Sequence, residues 1–429
     1  MKIVIIGGDA AGMSAAMEVY RNSENTHITI LEKGSIYSYG QCGLPYVIDG
    51  RVHEPEGVVA RSVEDFRTKY GMDARVHHEV QHIDSRLKIV TGIHTKTGEQ
   101  FEIPYDKCLI ASGASSIVPP LQHVHLKGIH TIKTIPQMHA LLADLQYAKK
   151  AVVIGAGFIG LEAAEALKLR GLDVTILQRS AQVMKGLVEE FSHRLIEEAS
   201  QHHVPIVLNA HVSGFLGENR VTHVVTSEAT YEADVVIIAT GVLPNTNMIE
   251  ADKLPNGALI VNERMETSVA NVYAAGDCAA HYHRITGEMS YVALGTTANK
   301  QGRIAGRQMA GLSNTFKGIV GTTIFQFFNL TVGMTGIQTQ YAYPYRANHI
   351  ASYYPTPKLI DFIVYTDEQG VLKGLQAIGE AGVDKRIDVF ATALYNEMTL
   401  AQLVDLDLSY APPYNGVWDA LLQVSKRYT

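Results

Sequence analysis

An α/β fold with two parallel-sheet units and a C-terminal α+β domain is predicted by three features of this 429-residue chain. Segments 1–32 and 151–178 each run from an apolar strand through a glycine turn into a small-residue helix and a second apolar strand. Such a unit packs as parallel strands with a right-handed crossover. The first glycines of the two segments, Gly7 and Gly155, lie 148 residues apart, a duplication of domains rather than a solenoid period. From about Gly318 the pattern changes to short strands rich in tyrosine and β-branched residues, followed by helical periodicity.

The elements follow in chain order. The run Ile3 to Ile6 leads into Gly7-Gly8-Asp9-Ala10-Ala11-Gly12, and the strand of residues 27–31 ends at Glu32 and Lys33. Residues 105–111 form an apolar strand ending at Ala111, with a turn at Ser112 and Gly113. The second unit carries Gly155-Ala156-Gly157-Phe158-Ile159-Gly160, a helix through Arg170, and a strand ending at Gln178-Arg179-Ser180. Residues 233–239 run into Thr240-Gly241, and residues 271–275 into Gly276-Asp277. The C-terminal part shows strands at 358–366 and 371–378 and helices at 384–396 and from Thr399. This organisation predicts one discontinuous domain of residues 1–111 and 235–317, a second of 112–234, and a third of 318–429.

Composition narrows the function classes. A net charge of -7 is no footprint for nucleic acid or an anionic membrane. Three cysteines without a CxxC pair exclude a disulfide scaffold and a cysteine-ligated metal, and suit a reducing cytoplasm. No signal peptide or membrane helix is expected from the apolar runs. Eighteen histidines, among them His77, His78, His202, His203, His281 and His283, show no ligand spacing, so no metal site is expected.

The glycine motifs carry the first chemistry. In G-x-G-x-x-G after a strand, the first glycine makes the turn, the second admits a pyrophosphate and the third lets helix and strand pack. The anion then sits on the helix N-terminus. The first motif has Asp9 at the middle glycine position, and its carboxylate is expected to point away from the phosphates. Glu32, twenty residues after Gly12, stands where an acid binds the ribose of an adenosine lacking a 2′-phosphate, as FAD does. The second unit has Gln178 and Arg179 there instead, an arrangement that accepts a 2′-phosphate, so NADPH is expected with NADH possible. Two Rossmann-like dinucleotide-binding domains in one chain imply a relay from nicotinamide to flavin and onward.

Cys42, in Ser38-Tyr-Gly-Gln-Cys-Gly-Leu-Pro-Tyr46, is the expected destination. Pro45 suits the first turn of a helix, so Cys42 would lie at that helix's N-terminus, where the macrodipole favours a thiolate. Cys108, in an apolar strand, and Cys278, after the Gly-Asp turn, read as core.

Together these motifs resemble the pyridine nucleotide–disulfide oxidoreductases, in particular the single-cysteine branch that includes coenzyme A-disulfide reductase. The resemblance runs the length of the chain and includes residues 275–277, 298–303 and 410–414. It implies that Gly276 and Asp277 hold FAD, and that Ser14, Arg21, Ser38, Gln41 and Asn299 contact coenzyme A. It also implies that Tyr353 and Tyr410 reach the sulfur centre, Tyr410 from the partner subunit across a homodimer built by the last domain. Departures sharpen it. No second cysteine follows Cys42 in its loop, so the partner sulfur must be a small thiol. Ala10 stands where peroxidases of the branch carry a histidine. Residues 415–418 hold no lysine where a coenzyme A contact would fall, and no rhodanese domain is expected after Tyr414.

The expected function is therefore an FAD-dependent oxidoreductase carrying electrons from NAD(P)H through flavin and Cys42 to a small-thiol disulfide, coenzyme A disulfide first. The alternatives are an NAD(P)H oxidase or persulfide/polysulfide reductase using the same cysteine, and a flavoprotein passing electrons to another protein.

Overall fold

The computed structural model describes residues 1–350 and 356–429. Two five-stranded, all-parallel sheets dominate its first three-quarters. The first has the order Val272–Ala274, Lys107–Ile110, Lys2–Ile6, His27–Leu31, Asp73–Arg75. The second has the order Ile206–Val207, Asp173–Leu177, Lys150–Ile154, Val235–Ile238, Ile129–His130. Central strands of such sheets are covered on both faces, which explains their unbroken Val/Ile/Leu runs. Residues 3–6 and 151–154 are buried throughout.

One expectation is corrected here. The boundary placed before residue 235 falls inside the second sheet, because Val235–Ile238 pairs in parallel with Lys150–Ile154. The run 233–239 is apolar at each strand position because it lies between two other strands, so the chain leaves this sheet only after Ile238.

The C-terminal part is an antiparallel five-stranded sheet, in the order Thr323–Phe327, Leu330–Gly336, Leu372–Gly379, Leu359–Thr366, Tyr341–Asn348. The helix Val383–Tyr395 packs on one face, burying Val383, Ile387, Phe390 and Leu394 against Val364, Leu375 and Ala377. The opposite face is shared with the second unit: Phe325, Phe327, Leu330, Val332 and Ile378 lie in one core with Leu161, Ala164 and Phe191. Leu44, Val47 and Ile48 join that core too. The Cys42 loop therefore bridges both nucleotide units, starting at the first and anchored in the second. No helix of the described residues is long and apolar enough to cross a membrane.

Candidate active site

Each glycine turn is dictated by close backbone approach. Gly7 has φ +109°, and a Cβ there would stand 2.2 Å from the Ala111 carbonyl oxygen. A Cβ on Gly12 would lie 2.0 Å from the Gly7 carbonyl. The second turn repeats this: Gly155 has φ +106° against the Ala239 carbonyl, and a Cβ on Gly160 would lie 1.9 Å from the Gly155 carbonyl oxygen. Gly157 differs, because a Cβ there would meet nothing within 4 Å. The space above it is open, at the start of the helix Phe158–Leu169. Neither that helix nor Ala10–Asn22 has a side-chain cap, so both offer unpaired N–H groups to an anion. Phe158 packs edge-to-face on Phe325 at 5.1 Å, while Ile159 is partly exposed.

The strand-end residues confirm the kinship of the two units. Glu32 Oε2 accepts the Gly8 N–H at 2.9 Å, and its Oε1 accepts the Gly34 N–H at 2.7 Å. Gln178 Oε1 accepts the Ala156 N–H at 2.9 Å, in the equivalent place, with a neutral amide for the acid. Its Nε2 donates to Ser180 Oγ and the Gln182 carbonyl. Arg179 is exposed at this strand end. Lys33 turns its ammonium to Glu79 on the surface rather than into the turn.

The Asp9 side chain makes no cap bond to the helix it precedes and reaches the Cys42 loop instead. Its Oδ1 accepts the Tyr39 N–H at 3.1 Å and its Oδ2 accepts Gln41 Nε2 at 2.7 Å. Burial, with Glu32 adding a like charge, raises its carboxyl to about 6 against these hydrogen bonds. Gln41 is thereby tied to the phosphate turn and does not line the groove of the other expected coenzyme A contacts.

Cys42 lies in a short 3-10 turn, Gln41–Gly43, and is an exposed residue. The following helix, Pro45–Ile48, has only four residues and begins three positions later. The thiolate expectation is corrected accordingly, since so short a helix has little dipole to offer. The thiol is pushed up by the protein mass around it, then by the carboxylates of Glu162 and Asp277, with Lys133 opposing. Cys108 and Cys278 are fully buried, as expected.

Glu162 and Lys133 were not singled out from sequence. Burial and Glu165 raise the Glu162 carboxyl to about 7, against a hydrogen bond from Tyr46 and the charge of Arg51. Two glutamates three apart, Glu162 and Glu165, on a helix whose one other charged residue is Lys168 in its last turn, were the available signal: one of them had to face inward. Lys133 Nζ lies 3.3 Å from Asp277 Oδ2. Asp277 follows Gly276, whose φ is +83° and whose N–H is held by buried Gln301 at 2.9 Å. Gly113 and Gly241 also have positive φ, and Ser112 Oγ donates to the Asn245 carbonyl.

Four of the five expected coenzyme A contacts meet in one groove of about 400 Å³. Ser14, Arg21, Ser38 and Asn299 line it with Ala10, Arg61, Lys300 and Arg303. Ser14 Oγ donates to Asn299 Oδ1 at 2.7 Å. Four cations stand against the single carboxylate of Glu18, so the groove is electropositive.

Tyr353 lies outside the described residues. Tyr410 is half exposed and is not among the groups that act on the Cys42 thiol within its own chain. Its segment is anchored from behind: Asn415 Nδ2 donates to the Ser409 carbonyl and to Asp419, which pairs with fully buried Arg386 at 2.8 Å.

The model of the family described as pyridine nucleotide-disulphide oxidoreductase matches residues 1–302. The chain is 36% identical to the NAD(P)H sulfur oxidoreductase (CoA-dependent) of Pyrococcus abyssi, over 99% of this chain and 97% of that one. It is 32% identical to the coenzyme A disulfide reductase of Staphylococcus haemolyticus, over 96% of each. The solved structure of an NAD-dependent persulfide reductase from A. fulgidus superposes with a TM-score of 0.95 at 33% identity, over 100% of this chain and 82% of the other.

Proposed function

The chain belongs to the pyridine nucleotide-disulphide oxidoreductase family, NAD(P)H-dependent enzymes, and on that footing we propose that it reduces the disulfide of a small anionic thiol, coenzyme A first among them, through Cys42. One observation carries the reading. Cys42 is the one exposed cysteine of three, so its disulfide partner comes from a small molecule. The neighbouring cationic groove supports a phosphorylated thiol.

The residues present fit the two dinucleotides, since Gly7 and Gly12 leave no room for a Cβ while Gly157 faces open space. FAD, where bound, supplies the two-electron link between nicotinamide and sulfur. Gly7 to Gly12, Glu32, Ala111 to Gly113, Gly276 and Asp277 would hold it. Gly155 to Gly160, with Gln178, Arg179 and Gly241, would orient NAD(P)H, the exposed guanidinium favouring NADPH. Cys42 attacks one sulfur of the substrate disulfide and releases the other half as a thiol. The resulting mixed disulfide takes two electrons, and Cys42 leaves as thiolate while the second thiol departs with a proton. Lys133 favours that thiolate electrostatically, and Glu162 stands where it can hold a proton near neutral pH. Tyr410 and Tyr353 would serve as further donors. The exposed Tyr410, Tyr414, Val417 and Trp418 support a second copy of the chain as the partner that brings Tyr410 to the sulfur.

Persulfide reduction by the same thiol is the second reading, favoured by the likeness to the persulfide reductase fold. Intact mass of the purified protein before and after reductant tests the proposal: loss of one coenzyme A per chain is expected. Full reactivity of a Cys42→Ser protein toward coenzyme A disulfide would overturn it.

A further inference from the structure

Asp9 occupies a position where a dinucleotide turn ordinarily has glycine, and its backbone place in the FAD turn gives the carboxylate no task of its own. Its carboxylate reaches across to the thiol loop, accepting the Tyr39 N–H with one oxygen and Gln41 Nε2 with the other. A backbone clamp runs alongside, from the Ser38 N–H to the Gly8 carbonyl at 2.8 Å. Ser38 has φ +49°, so the loop is held in a conformation that a non-glycine residue rarely adopts. Cys42 is the residue after Gln41. Asp9 thus joins the phosphate-binding turn to the residue beside the reactive thiol.

The charges around it are of one sign. Glu32 comes from the adjoining strand end, and the Tyr39 phenol is held neutral, pushed well up by burial and by Asp9 itself. Gln41 and the Tyr39 and Ala10 N–H groups are neutral, and among the described residues no cation is one of the groups that act on Asp9. A bound pyrophosphate adds further negative charge within the same turn, at the helix that Asp9 precedes.

We propose, resting on the FAD reading above, that Asp9 is a positioning residue that locks the Cys42 loop to the phosphate turn and takes up a proton as the FAD pyrophosphate docks. The lock survives the proton. Oδ1 still accepts from Tyr39, and the new O–H donates to the Gln41 carbonyl once that amide turns over, because a glutamine side chain can donate or accept. Its place near neutrality without cofactor, raised to about 6 by burial, leaves Asp9 mostly ionised at pH 7 and free to take the proton.

The test is FAD binding by the full-length apoprotein, followed by flavin fluorescence between pH 6.5 and 8. Linkage requires the wild-type Kd to rise about tenfold per pH unit. Asp9→Asn mimics the protonated state and keeps both hydrogen bonds, so its Kd should be flat and, at pH 8, tighter than wild type. Calorimetry of the wild type at pH 7 in buffers of different ionisation heat should show uptake close to one proton per FAD, independently of any variant. A flat wild-type profile without proton uptake overturns the assignment, and so does a slope that persists in Asp9→Asn, where Glu162 is intact. No FAD binding at any pH would instead sink the functional reading itself.

Discussion

Lys133 Nζ stands 3.3 Å from Asp277 Oδ2, and the two groups act on the Cys42 thiol with opposite sign. Removing the lysine leaves the carboxylates of Asp277 and Glu162 unopposed. Lys133→Met should therefore raise the Cys42 pKa by about one unit, the scale of a nearby opposite charge. The pH dependence of alkylation by iodoacetamide measures this, with Cys42→Ser as the blank.

Glu162 is a part-buried acid raised to about 7, and the sign of its effect on stability follows. The folded chain binds its proton more tightly than the unfolded chain does. Stability is therefore greatest below the unfolded value and falls as pH rises toward 7, by about 2 kcal/mol after allowance for partial solvation. Glu162→Gln should melt higher than wild type at pH 8 and match it at pH 5. Thermal denaturation at the two pH values decides it.

The two later glycines of the second turn should part company on mutation. Gly160→Ala drives a methyl group against the Gly155 carbonyl at 1.9 Å, so a large loss of melting temperature is expected. Gly157→Ala has an ordinary φ of -88° and open space. It should fold normally and raise the KM for nicotinamide nucleotide about tenfold, roughly 1.4 kcal/mol, by filling the phosphate's place.

Arg179→Ala should weaken NADPH by about tenfold or more, the scale of a charged hydrogen bond, and leave NADH nearly unchanged. Equal effects on the two nucleotides would mean that the guanidinium does not meet a 2′-phosphate.

Arg386 and Asp419 form a bidentate pair with each side chain almost wholly buried. Arg386→Met leaves the buried Asp419 carboxylate with Lys385 at 3.5 Å as its remaining cation and should cost about 3 kcal/mol. Because Asp419 also holds Asn415, which holds the Ser409 carbonyl, the Tyr410 segment should become more sensitive to protease in the same protein.

Much of this site was legible in the sequence because its turns admit only glycine. The positions of Gly7, Gly12, Gly155 and Gly160 are fixed by carbonyl oxygens about 2 Å from where a Cβ would be, and such constraints leave a readable spacing. The groove contacts Ser14, Arg21, Ser38 and Asn299 came from family likeness, and they meet in space. Charges brought together from distant segments were not legible. Lys133, Glu162 and Asp277 come from three separate stretches and converge on Cys42 only through the fold. The ionisation of Cys42 was misjudged for that reason: the sequence displays a proline-started helix but not its four-residue length or its acidic neighbours. The strand at 235–238 was assigned to the wrong sheet because apolar β-branched runs look alike in either.

The first sheet draws one edge strand, Val272–Ala274, from a point more than 160 residues beyond its neighbour Lys107–Ile110. On a ribosome the strands 2–6, 27–31, 73–75 and 107–110 emerge early and must wait, one flank bare, while the whole intervening unit is synthesised. That unit holds all five of its own strands between Ile129 and Ile238, so it is able to close first. Until Ala274 arrives, the bare flank at 107–110 is a template for pairing with another nascent chain. Slow translation through residues 240–270 would lengthen that hazard, and aggregation during synthesis should be more sensitive to rate there than anywhere after Ala274.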